Sequence, residues 1–496
     1  MSDVQFLLIQ RNVNKKKKSV NNFSDDIYIR FVNFCREHDL ISKGDSVLVA
    51  ISGGADSVAL LDLLRRWKDE GTEFWLSAAH FNHKIRNESD SDLKDVQRIC
   101  RALNVECFTG EGQVETAGIH QKRAVHDIAR EMRYDFLMDV ANQKCCRDDH
   151  HEKLPLIATG HHLDDQVETL LMRLFSGGGI EGLAGIRRSL DFGEPLHARL
   201  IRPLLGFRHE ELISYCQEKS LRYVEDMSNY DNTYPRNRIR HKLVPSIVDL
   251  FGESALQGIS RSADHAGHAS VIINHFTEKA YKDALLERRE CDIVLDYHII
   301  SSYLIGLRYN CLLKAARELT TRQTRFTYER IKTAEKRLIN RYKGITELGD
   351  GVSTCVHHDR IWIFRQPRNL LPIQLICPGS YDIPDWGRLE LKAISPDQKE
   401  FPPPEGRLFL DLDVIGTNEI SIEPAGSGDR FQPLGMTGHR KVSDFLSEIG
   451  VPIHRRRYPV IRAKSQIAAI PPFQIAERYK ISPRTKRVLK IQWTDC

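Results

Sequence analysis

From about residue 25 to residue 240, short apolar runs alternate with amphipathic stretches. Val47, Leu48, Val49, Ala50 and Ile51 make an unbroken apolar run of strand length. A small polar turn follows, Ser52-Gly53-Gly54-Ala55-Asp56-Ser57. Leu60, Leu61, Leu64 and Trp67 then recur at three- and four-residue spacings, which predicts a helix. Further strands are predicted at 74–81, 105–109 and 156–160, and helices over 89–103, 119–142 and 164–175. This order predicts βαβ units on a parallel sheet, whose ligands gather at the C-terminal strand ends. The turns at 52–57 and 157–165 would then share one rim.

Beyond residue 245 the pattern changes. Helical periodicity with many Arg and Lys predominates to about 345, as in 304–319 and 328–342. After 350, short strand patterns (360–364, 389–391, 408–410) are broken by turns such as Pro402-Pro403-Pro404. The predicted fold class is an α/β N-terminal domain with a parallel sheet, then a helical domain and a small α+β C-terminal domain. Its expected boundaries are a flexible basic leader over 1–24 (with Lys15–Lys18), a catalytic domain over 25–240, a helical domain over 245–370 and a C-terminal domain over 375–496.

Composition narrows the class only a little. A length of 496 residues is enough for several domains. The net charge of +5 is too small to argue for nucleic-acid binding by itself, so the basic clusters near the C-terminus carry more weight. The 11 cysteines are odd in number and scattered, with no C-x-x-C pair, which suits free thiols in a reducing, cytoplasmic setting. No apolar run approaches the ~18 residues of a membrane span.

Two stretches carry candidate chemistry. A Gly-rich turn between strand and helix presents backbone N–H groups at the positive end of the helix, a seat for an anion. It lacks the Gly-Lys-Ser/Thr of a Walker A loop. A plain βα connection is the bland alternative. The second stretch, His161-His162-Leu163-Asp164-Asp165-Gln166-Val167-Glu168-Thr169, opens a helix directly after a strand. Acids in a first turn favour a helix through its dipole, so a simple cap explains part of it. Helical spacing also brings Asp164 and Glu168 to one face. Three acids and two histidines exceed what a cap requires, and such a cluster suits Mg²⁺ or an ammonium group. Cys145, Cys146, His150 and His151 in the polar stretch 143–153 do not have zinc-finger spacing and are read as a surface insertion. His80 and His83 are read as structural or rim residues.

The Ser52–Ser57 turn resembles the pyrophosphatase loop of the N-type ATP pyrophosphatases, or PP-loop superfamily. Within that superfamily the HHLDDQVET run resembles tRNA(Ile)-lysidine synthetases. Further matches follow in order: Ala129-Arg130 with Arg133-Tyr134, Gly182-Leu183 with Gly185-Ile186, and Arg202-Pro203-Leu204-Leu205. Then come Glu225-Asp226 with Ser228-Asn229, and Arg236-Asn237-Arg238-Ile239-Arg240. Near the C-terminus, Gly428–Pro433, Lys441–Asp444 and Val451-Pro452 resemble the last domain of that family. The resemblance spans roughly 40–490.

The resemblance implies an adenine nucleotide α-hydrolase-like catalytic domain. It implies an enzyme, a carbon–nitrogen ligase, that uses ATP to join L-lysine to C2 of the wobble cytidine of the CAU-anticodon isoleucine tRNA. The reaction would pass through an adenylated cytidine, release AMP and pyrophosphate, and change the codon read from AUG to AUA. Ser52, Gly53, Gly54, Ala55, Asp56 and Ser57 would bind the nucleotide, with Asp56 on Mg²⁺. Asp56, Asp165, Glu168 and Arg236 are the catalytic candidates. Asp164, Asp165, Glu168, Arg130, Arg238, Arg240, Arg455 and Arg456 are the candidates for lysine or tRNA contact. The arginines have surface salt bridges as their bland alternative. Basic clusters at 439–441, 454–457 and 484–490 would grip phosphates. A homodimer is possible on family precedent. The competing classes are a PP-loop tRNA thiolase, an amide-forming ligase of small molecules, and a non-enzymatic RNA-binding protein.

Overall fold

The computed structural model describes residues 22–82, 84, 89–112, 125–144, 153–192, 198–224, 235–320, 326–365, 370–398, 404–416 and 420–495. The Lys15–Lys18 run, His83, the Cys145–His151 cluster and the Glu225–Asn229 match lie outside these residues. The chain divides into two compact units, Met1–Val271 and Ile272–Cys496.

In the first unit, α1 (Phe23–Glu37) precedes β1 (Ser46–Ala50), α2 (Ala55–Asp69), β2 (Trp75–Asn82), α3 (Ser89–Ala102) and β3 (Glu106–Glu111). Then come α4 (Val125–Lys144), β4 (Leu156–Thr159), α5 (Leu163–Phe175), β5 (Ser189–Phe192), β6 (Ala198–Ile201) and α6 (His209–Glu218). The sheet order is β3-β2-β1-β4-β6-β5, parallel throughout except for the edge strand β5. The predicted strands and helices of this unit match the structure to within a few residues, apart from the helix over 119–142, which the structure describes only from Val125.

Both faces of the sheet are covered, as a parallel sheet requires. Val47 and Val49 of β1 point into one core with Phe31, Leu60, Leu64 and Trp67. Leu48 points into the other, with Leu137, Met138 and Ile157. The order reverses at β1, whose neighbours are β2 and β4, with Ala50 opposite Thr159 at the strand ends. Such a reversal opens a crevice at the C-terminal strand ends, and the turns at 52–57 and 160–162 leave from there.

The same unit closes with a short helix α7 (Pro235–Arg238), one π-helical turn (Ile239–Leu243), α8 (Val244–Phe251) and the start of α9 (Ser254–Ala284). Leu163, Val167 and Leu171 on the apolar face of α5 pack with Ile239, Leu243, Val244 and Leu256. This packing fixes α7 and the π-turn beside the acidic face of α5.

In the second unit, helices α10 (Ile305–Glu318) and α11 (Tyr328–Ile339) bear out the helical reading of the middle region. They share a core with a five-stranded sheet that the helical pattern did not announce in full. Its strands β7 (Leu285–Arg288) and β8 (Asp292–Asp296) join β9 (Thr346–Gly349), β10 (Val352–His357) and β11 (Arg360–Arg365) in the order β7-β8-β11-β10-β9. Further on, antiparallel sheets of five and four strands share one core that includes Trp386, Leu446, Tyr458 and Trp493. Among the described residues, no helix is long and apolar enough to cross a membrane.

Candidate active site

The loop after β1 is a tight turn held together from inside, and it leads into α2 with no side-chain cap on the helix. Gly53 adopts φ +93°, a left-handed conformation that glycine takes without steric cost. Ser57 Oγ donates to the Gly54 carbonyl at 2.9 Å and accepts from the Ser52 N–H at 3.2 Å, closing the turn from inside. The Val224 N–H donates to the Gly53 carbonyl at 2.9 Å. Gly54 then caps α2 without any side chain of its own, leaving the helix N-terminus accessible to an anion.

Asp56, in the first turn of α2, faces two imidazoles. His209 Nδ1 lies 2.7 Å from Asp56 Oδ1. His162 Nε2 lies 3.7 Å from Asp56 Oδ2, and the two rings stack with centroids 5.1 Å apart. Asp164 turns to the opening of α6, where it accepts from Arg208 Nε and from the His209 N–H, each at 2.8 Å.

Asp165 and Glu168 face the other way, toward α7 and the π-turn. Arg236 donates to both, at 2.7 Å each, and Arg240 Nε donates to Glu168 at 2.6 Å. Asp165 also accepts the His162 N–H at 3.1 Å, the cap that acids in a first turn predict. Glu168 is fully buried, and both its oxygens are taken by guanidinium groups. The two carboxylates named as candidates for lysine are here paired with arginine, as a buried carboxylate needs a countercharge.

The electrostatics of the adjacent histidines diverge. Burial opposes the charged form of His162, yet the carboxylates of Asp165, Asp164 and Asp56 hold its pKa up to about 9. Burial depresses His161 to about 4, with Arg202, Arg130 and Arg236 adding to the shift and Asp165 opposing it. Asp164 is also buried, but His162, the His209 N–H and Arg208 together take it well below the usual carboxylate range. His80 fits the structural role read for it: it is buried, with Nδ1 2.9 Å from the Ile51 carbonyl.

Comparison with known proteins fits this geometry. Residues 23–247 match the family model described as a PP-loop domain, and residues 420–493 match the TilS substrate C-terminal domain. The tRNA(Ile)-lysidine synthase of Clostridium acetobutylicum is 28% identical over 489 residues, covering 93% of this chain and 98% of that one. Its counterpart in Clostridium tetani is 27% identical over 481 residues, covering 93% and 97%. That of Geobacter sulfurreducens is 28% identical over 436 residues, covering 86% and 88%. The chain belongs to the tRNA(Ile)-lysidine synthase family. As a PP-loop member of that family it uses ATP.

In this lysidine synthase fold, the first unit brings together Ser52–Ser57, Asp164, Asp165, Glu168, Arg236 and Arg240 on one rim. Arg238, about half a turn from Arg236 and from Arg240, is exposed. Arg130 is exposed on α4, its guanidinium 5.0 Å from the Tyr134 ring centroid, without a contact to the acids. In the second unit Arg455 is buried and paired at 2.5 Å with Asp292, itself 1% exposed. Its guanidinium is therefore used inside the fold and is withdrawn as a phosphate contact. Arg456 is partly buried and donates to Ser447 Oγ at 3.2 Å, whereas its neighbour Arg457 is exposed. Arg208 and His209 were not singled out from the sequence. The signal was available: they open a helix just after β6, a third strand ending on the same rim.

Proposed function

We propose that the chain ligates L-lysine to C2 of the wobble cytidine of the CAU-anticodon isoleucine tRNA, with consumption of ATP. The observation that carries this reading is an anion seat and a buried acid–arginine cluster meeting across Asp56 and His162. One suits a polyphosphate, the other a cationic amino acid. In the reaction the cytidine C2 oxygen attacks the α-phosphate, pyrophosphate leaves, and the lysine ε-amine then displaces AMP.

The Ser52–Ser57 backbone holds the departing pyrophosphate, and Arg236 and Arg240 balance charge developing on the phosphate. Asp56 offers one carboxylate oxygen to Mg²⁺ arriving with ATP, which when bound would neutralise phosphate charge. Lysine enters by exchange: its ammonium takes the place of Arg236 at Asp165, and the freed guanidinium turns to the phosphate. Arg236 suits this because its side chain is 42% exposed, whereas Glu168 is sealed. Asp165, once relieved of arginine, is placed to take the ammonium proton, since only the neutral amine attacks. Asp164 holds α6 and its His209 in place. Residues 25–240 are then the catalytic domain, 245–370 a middle domain in which helices share a core with a sheet, and 375–496 the tRNA-binding domain. Arg130, Arg238, Arg456 and the exposed basic residues of the last domain contact tRNA phosphates. The proposed setting is the cytoplasm, and the proposed assembly a homodimer.

Incorporation of radiolabelled lysine into unmodified isoleucine tRNA tests the reading. Lysine should appear in the tRNA with stoichiometric AMP and pyrophosphate. Continued ATP turnover with no lysine joined to the tRNA, or incorporation of sulfur instead, would sink it.

A further inference from the structure

We propose that Asp56, His162 and His209 form a site for one divalent transition-metal ion, occupied independently of nucleotide. One donor atom from each residue lies within 4.8 Å of the other two. Ligand atoms around a tetrahedral Zn²⁺-like ion sit roughly 3.4 Å apart, so a small contraction completes the set. The three side chains come from the starts of α2, α5 and α6, of which α2 and α6 share one core while α5 packs in another.

The donor chemistry decides which cation fits. Mg²⁺ favours oxygen donors and retains most of its water, and this trio offers it a single carboxylate. Two imidazoles and one carboxylate suit Mn²⁺, Co²⁺ or Zn²⁺. A second observation points the same way. His162 is 4% exposed, and its Nδ1 makes no hydrogen bond although it is buried. That nitrogen lies 3.5 Å from Asp164 Oδ2, while Nε2 faces Asp56. Asp164 is itself held by Arg208 and the His209 N–H. A histidine with one nitrogen toward the ion site and the other toward an anchored carboxylate is how metal-ligating imidazoles are usually oriented. Charge also allows it. Asp56, Asp164, Asp165 and Glu168 are four carboxylates against the three guanidiniums of Arg208, Arg236 and Arg240 and the His162 imidazolium, so the ion enters by displacing the imidazolium proton. The site goes beyond the Mg²⁺ that accompanies ATP, and its occupancy does not require the proposed ligation to be correct.

The test uses the full chain, stripped with a chelator and dialysed, without ATP, lysine or tRNA. Co²⁺ is titrated near neutral pH and followed by its visible absorption. The expected result is one saturable Co²⁺ with bands of nitrogen coordination, resistant to about tenfold excess Mg²⁺. His162→Gln and His209→Gln should each weaken that Co²⁺ by at least about tenfold, and Asp164→Asn by a similar factor. Displacement by equimolar Mg²⁺, or affinity unchanged in both histidine variants, would overturn the proposal. Thermal melting guards against misfolding, and the Mg²⁺ competition on the unaltered chain decides even if a variant fails to fold. Lysine incorporation is scored separately, so failure of the ion site and failure of the ligase reading remain distinct.

Discussion

His161 and His162 are adjacent, yet their surroundings drive them to opposite protonation states, and that has a consequence for stability. The pKa of His162 is raised to about 9, so its contribution is fully present below the unfolded value near 6.5 and is lost as pH rises through about 9. That of His161 is lowered to about 4, so the unfolded chain binds the extra proton first and stability is lost as pH falls from 6.5 toward 4. Each arm is worth on the order of 3 kcal/mol. Urea unfolding of the full chain should therefore be most resistant near pH 6.5. His162→Gln should flatten the alkaline arm and His161→Gln the acid arm; identical profiles for all three proteins would refute the assignment. Glu168 offers a second test at this scale. Glu168→Gln leaves two arginines facing a neutral group in a buried site. The expected cost is about 2–4 kcal/mol by denaturant titration, below the upper end for buried pairs because Arg236 is 42% exposed.

The Gly-rich turn shows how an element separates folding from binding. At Gly53 an added Cβ meets both a φ of +93° and Val96 Cγ2 at 3.2 Å. Gly53→Ala should cost about 1–2 kcal/mol from the left-handed backbone alone, lowering Tm and raising KM for ATP together. Gly54 has φ −70°, and its added Cβ would come no closer than 3.6 Å to Ser52 Oγ. Gly54→Ala should hold stability to within about 1 kcal/mol, so that a larger loss appears only in ATP binding. Melting curves alongside ATP titrations distinguish the two. The turn and its flanking strand and helix were readable in the sequence because an apolar run, paired glycines and a helical apolar stripe are local signals. The acidic face of α5 was readable for the same reason. The arginine partners of Asp165 and Glu168 were named as a motif but not as partners, since the contact spans about 70 residues and depends on Leu163 and Val167 packing against Ile239 and Leu243. Strands β7 and β8 were hidden because each is short and sits between strongly helical segments.

Within the second unit, a basic residue near the C-terminus can serve the fold or serve RNA, and only burial tells which. Arg455 and Arg457 stand two apart in one cluster, yet Arg455 is paired with Asp292 in the interior while Arg457 is exposed. Arg484 and Lys486 are exposed as well. Phosphate contacts displace counterions, so each one contributes about 0.7–0.9 to the slope of log affinity against log salt. Arg457→Gln, Arg484→Gln and Lys486→Gln combined in the full chain should weaken tRNA binding at low salt and flatten that slope by about 2, with Tm little changed. Arg455→Gln should do the reverse: it leaves the buried Asp292 carboxylate with the longer 3.7 Å pairing to Arg289 and costs up to about 3 kcal/mol, while the slope stays as it was in protein that remains folded. Binding isotherms at several salt concentrations, paired with melting curves, read both effects. A flattened slope in Arg455→Gln with native stability would mean that its guanidinium reaches RNA after all, and an unaltered slope in the triple variant would move the tRNA grip away from this cluster.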